Sequence, residues 1–488
     1  MMGSGKKYIY VVTFISIGIL LGCSILNFRF AILGVLLGVL FIVDYLTKKM
    51  KNVDSVYVFL FLSLFSFDRI CIAITQPDTL LLRYVNDYCN LSVLDLMVFL
   101  MFLRLLHLKT NYKKYDTCSV LLILLFGFNL LSLFQSTNIS ATVWTCVRYL
   151  KLWVVFQYFK YVFDFEKHGN SLFKGALFGI MPQFFISFFQ LLKKDAIGLT
   201  FLGEVKTLSV RNVDGSTSFR PSGTFEHPAN MAFFAMFIFT LCLYEKRLKR
   251  ITRYFIMMCC LMLIALAGSR TIMVLTLLAI LIWVKQNGKK KNNFILISLG
   301  VLGISTIVVF TSTFDGIKDL FFNSDWTEQI VNRTTHWALL MTYIVKKPIL
   351  GYGANTYTDI TYYAASIANT LNTRFYLSNP CHNIYLQLWF DLGIGGVLCY
   401  ITILINGMMR YFKVYKNVYI DERPILTSCF VFVCVLSIYN FTGWAGLKDQ
   451  TNYMLYMMLG LLNSVQLKNA EYQPIRFSRS NKALRNLS

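Results

Sequence analysis

Apolar runs, most of them close to the length that crosses a lipid bilayer as a helix, recur along the whole chain. A bilayer core is about 30 Å thick, so a spanning helix needs about 20 apolar residues. Only 15% of the residues are charged and the mean hydropathy is +0.56, whereas soluble domains carry about 25% charged residues. These features exclude a set of soluble domains and a disordered chain. They predict one all-α, polytopic membrane domain over residues 1–488.

Fourteen transmembrane helices are predicted from these runs. They lie near residues 8–26, 31–46, 55–74, 91–107, 117–135, 142–160, 171–192, 228–244, 254–268, 271–284, 294–312, 383–405, 425–441 and 450–466. The first run follows Lys6 and Lys7 and ends near Leu-Leu-Gly-Cys, as in a lipoprotein precursor. Because a second run follows almost at once, we interpret the first as a transmembrane helix.

The basic residues predict the orientation of these helices. The net charge is +23, from 47 Lys and Arg against 24 Asp and Glu, and in a soluble protein this would indicate a nucleic-acid partner. About 28 of the 47 basic residues fall on one side of the predicted helices and about 14 on the other. Cytoplasmic loops of membrane proteins collect Lys and Arg. Both termini, with a basic tail at 467–488, are therefore predicted to be cytoplasmic, and no nucleic-acid partner is expected.

Neither the cysteines nor the acidic residues form a pattern typical of a metal site. Most of the twelve cysteines lie in apolar runs and none forms a C-x-x-C pair, so buried thiols are the favoured interpretation. Cys89 and Cys381 lie near the predicted outer surface, where a disulfide between them is an alternative. The acidic residues of the outer side are scattered, at Asp315, Asp319, Asp325 and Glu328. We expect no metal and no other cofactor.

Two predicted outer loops, 193–227 and 313–381, are long, and long loops often carry function. In the second loop, apolar residues at helical spacing predict a helix over Thr327–Val345. Lys347-Pro348 ends that helix, and Gly351-Tyr352-Gly353 predicts a tight turn. No strand precedes this turn and no Gly-Lys-Ser/Thr follows it, so it is not a nucleotide-binding loop.

Three basic side chains at the predicted outer face are candidates for chemistry. Arg220 precedes the eighth span, Arg270 lies at the tip of the short Gly268-Ser269-Arg270 reversal, and His382 lies where the second outer loop re-enters the membrane. Charged groups at a membrane are costly, so each is a functional candidate by default. The alternatives are arginines that snorkel to the lipid headgroups and a structural histidine.

This combination suits a phosphorylated lipid substrate. Guanidinium groups bind phosphate oxygens through paired hydrogen bonds and can stabilise a pyrophosphate leaving group. Histidine can accept a proton from an attacking hydroxyl near neutral pH, and Glu226 is the reserve candidate for that base. Asp391 lies on the opposite helix face from His382, so it is predicted to pair with a polar group of another helix. The glycines at 393, 395 and 396 predict close helix packing.

Four segments resemble, in order, motifs of the O-antigen ligase and O-antigen/capsule polymerase (Wzy-type) superfamily. They are 220–230, 268–270, 333–353 and 382–395. The first resembles an R-x-x-G-x-F-x-x-P-N start of a span, the second an S-R reversal, and the fourth an H-N-x-x-L…G-x-x-G signature. Ala229, which separates Pro228 from Asn230, and Asp391, where relatives often carry Glu, depart from the pattern. The resemblance covers residues 217–400.

The resemblance implies a polytopic glycosyltransferase that uses undecaprenyl-pyrophosphate-linked sugars on the outer face of the bacterial cytoplasmic membrane. It implies that Arg220 and Arg270 bind the phosphates and that His382 is the essential histidine. Arg333, Glu226 and Asn383 are further candidates for substrate binding. The reaction is expected to be independent of metal.

The leading hypothesis is a polymerase of O-antigen, capsule or exopolysaccharide, which transfers glycan to the next lipid-linked repeat unit. A ligase that transfers glycan to lipid A core or another acceptor is the first alternative. A flippase is the second, since charged residues lie in or near spans at Asp68, Arg69, Asp95, Arg104, Arg148 and Lys151. Their position near span ends favours packing or snorkelling. The expected partners are the lipid-linked oligosaccharide, membrane lipids, a chain-length regulator and a flippase.

Overall fold

The computed structural model describes most of the chain between residues 52 and 464. The described residues are 52–67, 70–73, 90–107, 116–205, 209–211, 217–245, 248–287, 326–357, 359–361, 381–416, 422–443 and 448–464, with the isolated positions 38, 42–44, 46, 50 and 418. The predicted spans at 8–26 and 294–312, most of the span at 31–46, the basic tail and Cys89 lie outside these residues.

Helices make up most of the described structure, as the apolar runs predict. Their bounds are α1 Val53–Leu64, α2 Val93–His107, α3 Thr117–Ser132, α4 Ile139–Tyr161, α5 Phe165–Lys193, α6 Pro228–Tyr244, α7 Arg250–Leu266, α8 Arg270–Asn287, α9 Trp326–Ile344, α10 Ile384–Tyr415, α11 Arg423–Tyr439 and α12 449–464. Short 3-10 turns lie at Phe65–Phe67, Leu133–Gln135 and Thr200–Leu202. The helix predicted over Thr327–Val345 is confirmed as α9.

Two short antiparallel strand pairs depart from the predicted all-α fold. β1 (Cys71–Ala73) pairs with β2 (Asn90–Ser92), and β3 (Ser209–Arg211) pairs with β4 (Thr217–Phe219). The helix predicted over 55–74 therefore ends early, because its last residues form β1. In each pair, main-chain N–H and C=O groups of the two strands are hydrogen-bonded to each other, so they are not left unpaired in the loop. The second pair ends directly before Arg220.

Four helices in the described part of the chain are long and apolar enough to cross a membrane. They are Thr117–Gln135, Ile139–Tyr161, Phe165–Lys193 and Ile384–Tyr415. Shorter apolar helices lie at Val53–Phe67, Pro228–Tyr244 and Arg423–Tyr439. All of them coincide with predicted spans, which supports a helical membrane protein. The total of fourteen spans stays a prediction.

Helix α6 lies at the centre of the packing. Pro228 and every residue from Asn230 to Tyr244 are buried, and α6 contacts α5, α7, α8 and α11. A helix that is apolar on all sides is typical of such a central position. Aromatic rings fill its interfaces: Phe237 meets Phe432 of α11 edge-on, with ring centres 5.2 Å apart. The segment that contains Arg220 therefore leads directly into the helix at the centre of the packing, which begins at Pro228.

Helix α10 is interrupted at Gly393. The φ of 73° and ψ of −177° at this residue are not helical, and they belong to a region that essentially only glycine occupies. A Cβ atom at this position would lie 1.8 Å from the carbonyl oxygen of Ile349. The glycine is therefore required both by its conformation and by the backbone that lies against it.

The loop segment 348–353 fills this interruption. Three main-chain hydrogen bonds join the two: Tyr352 N–H donates to Phe390 O at 2.9 Å, Gly353 N–H to Asp391 O at 3.1 Å, and Ile394 N–H to Pro348 O at 2.9 Å. Carbonyl groups that the break removes from the helical ladder thus find partners in the loop. The tight turn predicted at Gly351 to Gly353 is part of the structure that holds α10.

Asp391 and its neighbouring glycines were predicted to serve helix packing. The Asp391 side chain is hydrogen-bonded to the main chain of Asn355 and to Gln387 of its own helix. Its partner across the fold is therefore this loop and not a second helix, which corrects the prediction. Close packing is confirmed at Gly395, where a Cβ atom would lie 2.4 Å from the ring of Phe128 in α3.

We expect Gly393→Ala to destabilise the protein. Alanine held in this glycine-type conformation costs about 1–3 kcal/mol of stability. The overlap of its Cβ atom with Ile349 adds to that cost. Thermal unfolding of the purified protein in detergent measures the effect. Gly127→Ala in α3 is the matched control, since nothing lies within 4 Å of a Cβ there and alanine is about 0.5–1 kcal/mol better than glycine inside a helix. Equal unfolding midpoints for Gly393→Ala and wild type would contradict the strained break.

Candidate functional site

Two buried glutamines of α5 hold the turn that follows Arg220. The Gln190 Oε1 atom accepts hydrogen bonds from the N–H groups of Ser222, at 3.2 Å, and Gly223, at 3.0 Å. Its Nε2 donates to the Gly223 carbonyl at 2.9 Å. Gln183 does the same for Thr224: its Oε1 accepts from the N–H and its Nε2 donates to Oγ1, both at 2.9 Å. The two glutamines lie seven residues apart, which is two helical turns, so they share one face of α5.

This network fixes the backbone of the arginine motif. Gly223 has a φ of 62°, and a Cβ atom there would lie 2.2 Å from Oε1 of Gln183. Glu204 extends the network by accepting from Nε2 of Gln190 at 2.9 Å and from the N–H groups of Ile197 and Gly198 at 2.7 and 2.8 Å. A buried polar network whose members are hydrogen-bonded is rigid. The main chain next to Arg220 is therefore preorganised.

Arg270 lies at the predicted reversal between two helices. Helix α7 ends at Leu266 and α8 begins at Arg270 itself. Gly268 supplies the left-handed turn with a φ of 61°, and the Ser269 carbonyl accepts the N–H of Met273 at 3.0 Å in the first turn of α8. The reversal leaves the guanidinium group at the start of a helix.

The side chains of Arg220, Arg270 and Arg333 are close enough to influence one another. Burial, and after it the charge of Arg270, lowers the pKa of Arg220 to about 10. Burial and then the charge of Arg333 lower the pKa of Arg270. The Nε of Arg220 is buried and has no hydrogen-bond partner within the described part of the chain. The three guanidinium groups therefore belong to one site, in which nitrogen is available for a ligand.

His382 belongs to the same site. Burial lowers the pKa of its imidazole to about 3, and the charges of Arg333, His336 and His227 contribute in that order. Arg333 thus connects the histidine with Arg270, although the three residues come from different parts of the sequence. The imidazole of the free protein is neutral at physiological pH, which is the state that a proton acceptor requires.

Helix α9 and the start of α10 hold His382 in place. Its φ of 54° is left-handed. The residue before it is fixed by Trp337 of α9, whose Nε1 donates to the Cys381 carbonyl at 2.8 Å. The residue after it, Asn383, is the N-cap of α10, because its Oδ1 accepts from the N–H groups of Tyr385 and Leu386, each at 3.1 Å. Asn383 was predicted to bind substrate; the structure gives its side-chain oxygen to the helix cap, and a substrate contact stays a prediction.

A second histidine, His227, caps helix α6. Its Nδ1 accepts the N–H of Ala229 at 3.1 Å, so the ring is neutral with its proton on Nε2. Burial, then the charges of Arg220 and Lys448, lowers its pKa to about 4. His336 of α9 is the third histidine near the arginines; its Nδ1 lies 3.3 Å from the hydroxyl of buried Tyr357.

Glu226, the reserve base, forms an ion pair with Lys448. The Nζ and Oε2 atoms are 2.7 Å apart, and the side chains are 6% exposed for Lys448 and 28% for Glu226. Lys448 comes from the segment before α12, so the last described helix also contributes to the site.

The buried charges that raised the flippase alternative are largely paired with each other. Lys151 of α4 lies 2.7 Å from Asp95 of α2 and 3.0 Å from Asp449 of α12, and Arg148 contacts Asp449 as well. Two hydrogen bonds, of 2.9 and 2.8 Å, join Arg104 to Asp54. These pairs tie helices together, as the packing interpretation predicts. Asp68 and Arg69 lie outside the described residues.

Among the residues that the structure describes, the site brings four cationic side chains together with the carboxylate of Glu226, whereas nearby Asp449 is engaged by Arg148 and Lys151. The cations are Arg220, Arg270, Arg333 and Lys448, and the carboxylate is Glu226. Such an excess of guanidinium and ammonium groups suits a ligand with more than one negative charge, such as a pyrophosphate. Asp315, Asp319 and Asp325 lie outside the described residues, and so does the side chain of Glu328.

Comparison with known families agrees with this chemistry. Residues 254–401 match the Wzy_C family model, which is described as O-antigen ligase. This match supports the O-antigen ligase and polymerase superfamily that the four motifs resemble. Members of this family are glycosyltransferase-like enzymes of surface-polysaccharide synthesis. No curated protein matches the chain.

The matched region includes Arg270, Arg333 and His382, whereas Arg220 precedes it. Sequence reasoning assigned no role to His227 or His336, although both lie within the motif segments. It also missed Lys448, whose signal is a Lys-Asp pair at the predicted outer start of an apolar run.

We expect a difference between two pH profiles of glycan transfer. The profile of kcat/KM reports the free enzyme, in which the His382 pKa is about 3. The profile of kcat reports the complex, in which a bound polyanion offsets the cations and raises that pKa. In rates measured from about pH 4 to 8, kcat should therefore fall on the acid side while kcat/KM stays nearly level, because its own limb lies below this range.

Arg333→Gln serves as the control for this pH difference. Removing that cation should move the kcat/KM limb upward, because the Arg333 charge contributes to the low His382 pKa. Coincident limbs near the ordinary histidine pKa of about 6.5 would contradict the low value for the free protein.

Proposed function

We propose that the protein is a bacterial surface-polysaccharide polymerase. It transfers a growing glycan from undecaprenyl pyrophosphate to a hydroxyl of the next lipid-linked repeat unit. The observation that carries this proposal is the convergence of Arg220, Arg270 and Arg333 with His382 in one site of an apolar helical protein. A ligand that fits both features has an anionic head and a lipid tail.

The arginines bind and stabilise the pyrophosphate. Their guanidinium groups donate to the phosphate oxygens of the donor lipid, and these contacts strengthen when the sugar–oxygen bond breaks and negative charge builds up on the leaving group. Because the arginines are held by the glutamine network, the α7–α8 reversal and helix α9, they need little reorganisation at that moment. The three guanidinium groups supply the charge stabilisation here, so we propose a transfer that does not depend on metal.

His382 accepts the proton of the acceptor sugar. The hydroxyl oxygen attacks the anomeric carbon, the bond from that carbon to the pyrophosphate oxygen breaks, and its electron pair stays on the pyrophosphate. The hydroxyl proton moves to the neutral imidazole. Binding of the donor raises the pKa of His382 by offsetting the nearby cations, so the histidine becomes a stronger base when the donor is present.

The charge distribution of the loops sets the orientation in this proposal. With both termini in the cytoplasm, Arg220, Arg270 and His382 face the outer side of the cytoplasmic membrane. The outer loop at 313–381 then covers the site and selects the acceptor sugar. A flippase that delivers the lipid-linked repeat unit and a regulator of chain length are the expected protein partners.

A ligase is the second candidate, and the description of the matched family favours it. It would use the same donor and the same residues but pass the glycan to lipid A core or another acceptor. A deletion strain separates the two functions. Accumulation of single repeat units supports the polymerase, whereas long unligated chains on the lipid carrier identify a ligase.

We expect Arg270→Ala and His382→Ala each to lower transfer by about 100-fold or more, the usual effect of removing one preorganised charge-stabilising or proton-transfer group. Chain length in the complemented deletion strain and turnover of a lipid-linked donor measure it. Arg250→Ala is the matched control, since Arg250 is an exposed arginine at the other end of α7. Normal chains from the Arg270 or His382 variant, at normal protein levels, would remove these residues from the mechanism.

A further inference from the structure

The ion pair between Lys448 and Glu226 lies beside the arginines. Glu226 directly precedes His227, and the charges of both Arg220 and Lys448 act on that histidine. The ammonium group is therefore in the neighbourhood of the phosphate-binding guanidinium groups. Its side chain is only 6% exposed, whereas that of Glu226 is 28% exposed.

A buried ammonium near other cations is unfavourable without an anion. Removing such a group from water costs several kcal/mol unless a partner compensates it. In the part of the chain that the structure describes, the carboxylates of Glu226, at 2.7 Å, and of the adjacent Asp449 lie near Lys448. Asp449 is already engaged by Arg148 and Lys151. Glu226 is thus the anion that compensates Lys448 in the protein without substrate.

The main chain of Lys448 is anchored independently of this pair. Its carbonyl accepts the N–H of Asn452 at 3.1 Å in the first turn of α12. The next residue is held through Lys151, which is also bound to Asp95 of α2. The side chain can therefore exchange one anion for another while its backbone stays in place.

We propose that Lys448 is a fourth phosphate-binding cation and that Glu226 is an internal counter-ion which the donor pyrophosphate displaces. The ammonium group leaves the carboxylate for a phosphate oxygen, and the more exposed Glu226 turns to water. Since it presupposes the proposed pyrophosphate donor, this exchange deepens the function of the same site. It makes the protein select lipid pyrophosphate over lipid monophosphate, because the fourth cation has a second phosphate to bind.

Direct binding of two lipids to the purified protein in nanodiscs tests this exchange. The lipids are undecaprenyl pyrophosphate and undecaprenyl monophosphate, and the variants are Lys448→Met, Glu226→Gln and the double variant. Loss of one charge-assisted contact should weaken pyrophosphate-lipid binding by about tenfold or more in Lys448→Met, with a smaller effect on the monophosphate lipid. Glu226→Gln should bind the pyrophosphate lipid about threefold or more tightly than wild type, because no carboxylate then competes. The double variant should resemble Lys448→Met.

A purely structural ion pair gives a different pattern. Both single variants would then lose affinity alike, and the double variant would recover it; that result, or unchanged or weaker binding by Glu226→Gln, overturns the inference. If Lys448→Met fails to fold, lipid binding by Lys448→Arg and Glu226→Gln tests the inference instead. Retained binding by the first together with tighter binding by the second supports the exchange, and any other pair of results overturns it.

The arginine variants separate this inference from the proposed function. Arg220→Ala and Arg270→Ala should lose binding of both lipids if the site takes lipid-linked phosphate. Normal binding by these two variants removes the proposed function itself. Loss of binding in them, together with wild-type affinity in a folded Lys448→Met, removes only the role of Lys448.

Discussion

Repulsion among like charges is the constraint on which the arrangement of this site depends. Three guanidinium groups and an ammonium group lie in one neighbourhood. After burial, the charge of Arg270 lowers the pKa of Arg220, and the charge of Arg333 lowers that of Arg270. Free side chains would move apart, so a rigid frame has to hold them. A compact cationic site without its ligand is therefore a state of raised free energy, and a polyanionic ligand lowers it by entering. The proposed affinity for a pyrophosphate would follow from the free-energy cost of keeping these cations together without an anion.

Each cation is held by a separate structural element. Arg220 follows a hairpin and precedes a turn whose main chain is hydrogen-bonded to Gln183 and Gln190 of α5. Arg270 begins a helix after a glycine turn, and Arg333 lies on α9, which is tied to the start of α10 through Trp337. Lys448 is anchored by the charges of α2 and α4 through its neighbour Asp449. The site is built from contacts between parts of the chain that are far apart in sequence, and that is why so many helices meet at it.

Local sequence patterns predict a large part of this structure. The rest depends on contacts between residues that are distant in the sequence. Hydropathy predicts the helices because a run of apolar residues needs no partner to be recognised, and α9 ends within a residue of its predicted bounds. Arg220, Arg270 and His382 were predicted as candidates because charged or titratable groups at a predicted membrane face are costly, and the structure places them close to one another. Gln183, Gln190 and Lys448 were missed, since their value comes from what they meet across the fold. Gly393 was expected to allow close packing, but its role comes from a backbone conformation that sequence alone does not reveal.

The segment 348–353 meets the broken helix α10 through main-chain atoms. Peptide groups are common to every residue, so these hydrogen bonds depend little on which side chains the loop carries. Glycine is needed where the two backbones touch, at Gly393, but the remaining positions are open to change. Most side chains of this segment can therefore change while His382, which directly precedes the N-cap of α10, keeps its position. A loop that is joined to its helix through peptide groups leaves its own side chains available for other contacts without disturbing the residues that the helix positions.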